Sequence, residues 1–234
     1  MKRLQIVSAV LCLSLIFAGC NVFQGTPSSE AQTTEAEEDV TEHKVKVEDY
    51  TYLTLSDPTG DYTSRYPKLI VDGKEAIELN DSLIRHIQDT YPMEKEDDYV
   101  YGYQTCYKWG VKDNVVSIII YANYISEDFY TTEIYNYNLD TLKAMEDREV
   151  TEVLGLTDDQ LFDRTAEAYK SYCSGISAFD LDASIAGISY DTITPFVTPD
   201  GNPGVAGNIV YSKDSQFGGL EALRCFDLAT MEVC

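Results

Sequence analysis

The sequence predicts an α+β fold, a single globular domain in which a mainly antiparallel sheet carries two packed helices. Three observations lead there. Two β-rich runs, residues 99–110 and 115–125, flank the short polar turn "KDN", as an antiparallel hairpin does. Two other stretches, near 76–91 and 161–173, place apolar residues at helical spacing. The order along the chain is helix, strands, helix, strands, which suits antiparallel pairing.

The start of the chain reads as an export signal. Lys2 and Arg3 are followed by an uncharged apolar run from position 4 to 17. That run is shorter than the roughly 20 residues a spanning helix needs, so residues 1–19 are expected to be a lipoprotein signal peptide. Ala18 and Gly19 stand directly before Cys20, as in the lipobox of bacterial lipoproteins, although Phe17 occupies a position where that family usually has Leu. The resemblance implies a lipid on the Cys20 thiol, palmitate among its acyl chains, and attachment to the extracytoplasmic face of the cell membrane. Residues 20–46 are rich in Ser, Thr, Ala and Glu and lack an apolar period. They are expected to form a disordered acidic linker, leaving residues 47–234 as the folded extracytoplasmic domain.

Charge narrows the partners. The chain has 17 basic and 40 acidic residues, a net charge of −23. Loss of Lys2 and Arg3 with the signal would make it more negative by two. Such a field repels nucleic acid and favours cationic partners, and part of it serves solubility alone. Beyond Cys20 lie Cys106, Cys173, Cys225 and Cys234. An even number of cysteines outside the cytosol allows disulfides among them, in any of the three connectivities, or buried free thiols. Cys225 and Cys234 are spaced to oppose each other across a hairpin.

Within the domain, Ala76, Ile77, Leu79, Leu83, Ile84, Ile87 and Tyr91 mark the first helix, and Pro92 stops it. The strand at 99–110, the strand at 115–125 and a third in "FYTTEIYNYNL" follow. The second helix begins at Thr157, with Gln160 completing a capping box and Asp158 and Asp159 at the positive end of the dipole. Its stripe runs through Leu161, Phe162, Thr165, Ala168, Tyr169, Tyr172 and Cys173, and Gly175 stands near its end. "DTITPFVT", "VAGNIVYS" and "EALRCFDL" read as short closing strands around "PDGNPG".

The segment "YVYGYQTCYKW" puts Tyr99, Tyr101, Tyr103, Tyr107 and Trp109 on one parity of a strand. The opposite parity holds Val100, Gly102, Gln104, Cys106, Lys108 and Gly110, a set read as small or polar. Two readings stand: a buried core face, or a partly exposed strip that grips a ligand. An intermediate expectation is that central rings are buried while those near the strand ends emerge. Tyr99, Tyr101, Tyr107 and Trp109 are the candidate binding aromatics.

Catalytic chemistry is thinly supplied. The two histidines are His43, in the expected linker, and His86, at the edge of the first helix. "GISAF" and "GISYD" lack the final Gly of a nucleophile elbow. There is no phosphate-binding Gly pattern, and no catalytic residue, metal ligand or cofactor is assigned. Loop carboxylates such as Asp57, Asp61, Asp180, Asp182, Asp200 and Asp214 are of the type that binds calcium, without the spacing of an EF-hand.

The segments "YPKLIVDGKEAIELNDSLIRHI", "NVVSIIIYANYI", "YNYNLDTLKAMEDREVTEVLGLTDDQLFDRTAEAYK" and "TPFVTPDGNPGVAGNIVY", in that order, resemble a pair of bacterial domains of unknown function. They occur together in extracytoplasmic proteins, beside peptidoglycan deacetylase domains (PdaC-like) and in the lysozyme-sensing part of anti-sigma factors (RsiV-like). The resemblance covers most of residues 50–230 and implies an α+β domain at the cell envelope. It carries over no ligand-contacting residue. The expected role is a non-enzymatic, membrane-anchored binding module for a cationic, lysozyme-like protein or a cell-wall glycan. The alternative is a peptidoglycan-acting hydrolase or accessory domain using a carboxylate pair. A calcium-stabilised structural domain is a third reading.

Overall fold

A computed structural model describes residues 42–125 and 130–234, all within one compact unit, Val40–Cys234. Residues 1–41, which include the expected signal peptide, Cys20 and most of the expected linker, lie outside the described residues.

The first sheet joins β1 (Val45–Asp57), β2 (Gly60–Val71) and the two-residue β3 (Lys74–Glu75) in sequence order. β1 and β2 form a long antiparallel hairpin closed by a turn at Asp57, whose carboxylate accepts from the backbone N–H groups of Thr59 and Gly60. This hairpin was not expected, and its first strand begins at Val45. α1 (Ile77–Thr90) follows, and Tyr91 caps it before Pro92. β4 (Met93–Glu96), β5 (Tyr99–Lys112), β6 (Val115–Tyr124) and β7 (Tyr130–Asn138) form the central antiparallel sheet in that order. Three helices come next: α2 (Asp147–Val153), α3 (Asp158–Cys173) and α4 (Leu181–Ala186). β8 (Ile193–Val197), β9 (Pro203–Val210), β10 (Glu221–Asp227) and β11 (Glu232–Val233) close the chain as a third antiparallel sheet.

The architecture is therefore α+β and mainly antiparallel, as expected. The described residues hold four helices and three sheets, where two helices and one sheet were anticipated. α2 and α4 are seven and six residues long, too short for a periodic apolar stripe to reveal them.

β6 explains the layering. It is apolar on both faces, and both are covered. Val116, Ile118 and Ile120 pack with Leu83, Ile84 and Ile87 of α1 and with Tyr66 and Leu69 of β2. On the opposite face, Ile119 packs with Phe196 of β8, Ala206 of β9 and Cys225 of β10. The outer face of that third sheet carries Val205, Ile209 and Phe226, which meet Leu161, Ala168 and Tyr169 of α3. Each such side chain contributes about 1.5–3 kcal/mol by leaving water.

Polar groups fix how the layers meet. Ser117 of β6 donates to Asn136 Oδ1 (2.6 Å) and accepts from the Val197 N–H (2.8 Å), while Asn136 Nδ2 donates to the Pro195 carbonyl (2.9 Å). Asn80 is fully buried on α1 and bonds both the N–H and the carbonyl of Leu69. Ile77, assigned to the apolar stripe by spacing, is instead 61% exposed. The expected capping box is present: the Gln160 N–H donates to Thr157 Oγ1 and the Thr157 N–H to Gln160 Oε1.

Candidate functional site

Strand β5 carries the aromatic segment, and its edge shapes the site. Hydrogen bonding in an antiparallel pair alternates, so every second residue turns its main-chain groups away from a given neighbour. The Ile125 N–H donates to the Gly102 carbonyl (2.8 Å), which places the even residues of β5 on the β6 ladder. The odd residues face the other way. There the Tyr103 N–H meets the Pro92 carbonyl (2.9 Å) and the Thr105 N–H meets Ser64 Oγ (3.1 Å). β4 pairs with β5 only as far as Gly102. Past Thr105 the outer edge of β5 has no strand beside it.

A cleft of about 860 Å³ opens at that edge. Cys106, Tyr107, Lys108 and Trp109 form its floor. One wall comes from the hairpin, with Val47, Glu48 and Asp49 of β1 and Arg65 of β2. The other comes from the third sheet, with Asp200 in the β8–β9 turn, Asp227 at the end of β10, and Glu232 and Cys234 at the chain's last strand. Gly110 closes one end, because a Cβ there would lie 2.0 Å from the Thr198 carbonyl oxygen. Only glycine lets the two sheets approach so closely.

The two walls differ in charge. Glu48 pairs with Lys46 and with Lys68 (3.2 Å), and these hydrogen bonds hold its carboxyl below the usual range. Asp49 accepts from the Tyr107 hydroxyl (2.9 Å) and lies 3.9 Å from Arg65. Burial and that carboxylate push the Tyr107 hydroxyl up, so it stays a neutral donor. On the third-sheet wall no ion pair reaches Asp200, Asp227 or Glu232 among the described residues. Asp227 is instead held by Asn202 Nδ2 (2.9 Å) and by the N–H groups of Ala229 and Thr230. Lys108 lies over the Tyr121 ring, 5.5 Å from its centroid.

The expected aromatic strip is divided. Tyr103, Tyr107 and Trp109 are half-buried against the α1 side of the sheet, with Tyr103 edge-on to Tyr91 (5.3 Å) and Tyr124 (5.0 Å). Tyr99 and Tyr101 are exposed, at 65% and 38%. Between them the strand kinks at Gly102, with φ +94° and no room for a Cβ, which would sit 2.1 Å from the Pro92 carbonyl oxygen. The kink exchanges the faces. Val100, of the wrong parity, is the residue that packs under Leu55 and Tyr62 of the hairpin. The five rings thus do not share one face. The cleft takes Tyr107 and Trp109, while Tyr101 donates to Glu94 (2.6 Å) about 20 Å away along the strand.

The cysteines are sorted too. All four are thiols. Cys225 and Cys234 stand opposite each other across β10 and the end of β11, with the Cys234 N–H donating to the Cys225 carbonyl (3.1 Å). Directly opposed residues of this kind have Cα atoms about 5.5 Å apart, inside the range a disulfide spans. Cys106 is exposed on the cleft floor, and Cys173 is buried on α3, on the far side of the third sheet. Burial pushes the Cys225 thiol up to about 12 and the Cys234 thiol up to about 11. Neither is an activated nucleophile at neutral pH.

His43 belongs to the folded unit and not to a free linker. Its Nδ1 lies 2.8 Å from Asp72 Oδ2 and its Nε2 2.9 Å from Asp140 Oδ1. The Lys44 N–H also donates to Asp72 (2.9 Å), so the β2–β3 turn grips the start of the domain. Nothing in the linker composition signalled this, because both partners are distant in sequence. His86 is half-exposed, 3.4 Å from Glu133. Among the described residues, no three His, Cys, Asp or Glu side chains converge as a metal site. Asp57 spends its carboxylate on turn and strand N–H groups, and Asp180 caps α4. No family model matches the chain, and no curated protein matches it.

Proposed function

We propose that this chain is a membrane-anchored extracytoplasmic lipoprotein whose folded unit binds a cationic protein or a cell-wall glycan. The lipid on Cys20 holds it at the outer face of the cell membrane, and the acidic linker lifts the folded unit away from the surface. The observation that carries this reading is the cleft on β5. It combines half-buried rings of Tyr107 and Trp109 with the exposed acids Asp200 and Glu232, which no ion pair reaches among the described residues, and with the buried Asp227. Unpaired acids beside aromatic surface attract a basic partner and then supply desolvated contact. The raised thiols, and the absence of a histidine from the cleft, favour binding over nucleophilic chemistry.

The test is capture of a lysozyme-type muramidase and of soluble glycan fragments on the immobilised chain, at low and at high salt. Salt-sensitive capture of the muramidase is the expected result. Salt-independent capture of glycan alone points to stacking on the aromatic floor. Capture of neither removes the reading. The three cleft carboxylates favour one alternative, a hydrolase or accessory domain acting on peptidoglycan. It requires release of soluble fragments from purified wall that Glu232→Gln abolishes.

A further inference from the structure

We propose that the cleft takes an extended basic polypeptide segment, which adds as a strand to the open edge of β5. The inference rests on the binding-module reading and specifies the occupant and its mode of attachment. The main-chain groups of Tyr107 and Trp109 point away from β6 and have no hydrogen-bond partner among the described residues. The next odd residues back along the strand are satisfied, Thr105 by Ser64 Oγ and Tyr103 by the Pro92 carbonyl. The open stretch is therefore short and bounded. Ser64 closes it at one end, and the approach of Thr198 to Gly110 closes it at the other. Two residues offer two N–H donors and two carbonyl acceptors, enough to pair a short segment through its backbone.

An unprotected strand edge invites pairing, and proteins usually cover or charge theirs. Here the edge lies at the bottom of a cleft of about 860 Å³. The charge of the walls selects the occupant. Asp49 and Glu48 on the hairpin side are already paired, whereas among the described residues no ion pair reaches the exposed Asp200 and Glu232 opposite; Asp227 beside them is buried and held by Asn202 and main-chain N–H groups. A strand lying along β5 sends alternate side chains to opposite faces. Basic side chains on one parity meet the third-sheet acids, and apolar ones on the other meet the rings of Tyr107 and Trp109. Lys108 and Arg65 oppose this attraction, and the lining carboxylates Glu48, Asp49, Asp200, Asp227 and Glu232 outnumber them.

The chain has a single tryptophan, Trp109, so its own fluorescence reports occupancy of the cleft. The probe is a short peptide of alternating Lys and Val, titrated into the full chain. Two versions N-methylated on one or the other parity, and an alternating Glu and Val peptide, are the controls. The expected result is a saturable change in emission that salt weakens, an affinity loss of about tenfold or more for at least one N-methylated series, and no binding of the acidic peptide. Equal affinity of both N-methylated forms and the parent overturns edge pairing. Equal binding of the acidic peptide overturns charge selection. If the Lys and Val peptide does not bind while the muramidase or glycan does, this inference fails and the binding-module reading stands. If none of them binds, both fail.

Discussion

The two ends of β5 carry similar residues and meet opposite fates. At one end Tyr99 and Tyr101 stand in solvent beside the β4 hairpin, and at the other Tyr107 and Trp109 are half-buried at the floor of a cleft. Residue type does not separate them. Their neighbours do. Near Tyr99 the strand pairs with β4, the Val100 N–H meets the Asp57 carboxylate, and the inward place is taken by the Val100 side chain. Near Trp109 one side is unpaired, and two other sheets rise beside it. A tyrosine on a strand is a surface residue or a binding residue according to what completes the sheet next to it.

The largest test breaks the kink that makes the ends differ. Gly102→Val is expected to cost about 3 kcal/mol or more, because it forces a branched side chain into positive φ and against the Pro92 carbonyl. A urea midpoint shift equivalent to under about 1 kcal/mol would mean that the strand runs straight and the rings share a face. The next test compares the ends directly. Trp109→Ala is expected to destabilise by about 2.5 kcal/mol, and Tyr99→Ala by no more than about 0.5 kcal/mol. Equal losses in chemical unfolding would erase the distinction.

A smaller effect concerns the wall beside Trp109. Mild oxidation of the purified chain is expected to link Cys225 to Cys234, stabilising the fold by about 2 kcal/mol. Peptide mapping by mass spectrometry identifies the bridge, and a Cys173 linkage would contradict the placement of that residue on the far side of the sheet. The smallest effect lies at the domain's start. Hydrogen bonds to Asp72 and then Asp140 raise the pKa of His43 above 6.5. The folded state therefore holds this proton more tightly than the unfolded chain does. The resulting stability is fully present below about pH 6.5 and is lost as pH rises through the elevated value. An NMR titration of His43 checks the direction, and a midpoint below 6.5 would refute the clamp.

Several features were legible because they are local. The Thr157 and Gln160 capping box lies within one turn of chain, and it forms as read. The stripe of Leu83, Ile84 and Ile87 faces the core because helical spacing alone puts those residues on one side. The opposition of Cys225 and Cys234 follows from strand alternation across a short turn. Other features depend on partners far away in sequence. Asn80 is buried because the Leu69 backbone needs it, and His43 is anchored by carboxylates 29 and 97 residues distant. The β1–β2 hairpin was missed although its turn residues were visible, since its strands mix charge with tyrosine and threonine.

By itself the sequence determined an acidic, mainly antiparallel α+β unit. Composition and spacing act through each residue's own chemistry and its nearest neighbours along the chain. Only the tertiary structure decided which tyrosines line the cleft and which stand in solvent. Parity assigns faces only while every residue keeps extended φ, and one glycine at +94° reverses it. A strand edge becomes a site only when distant segments leave it unpaired and wall it in. Both are properties of the contacts made across the sheet.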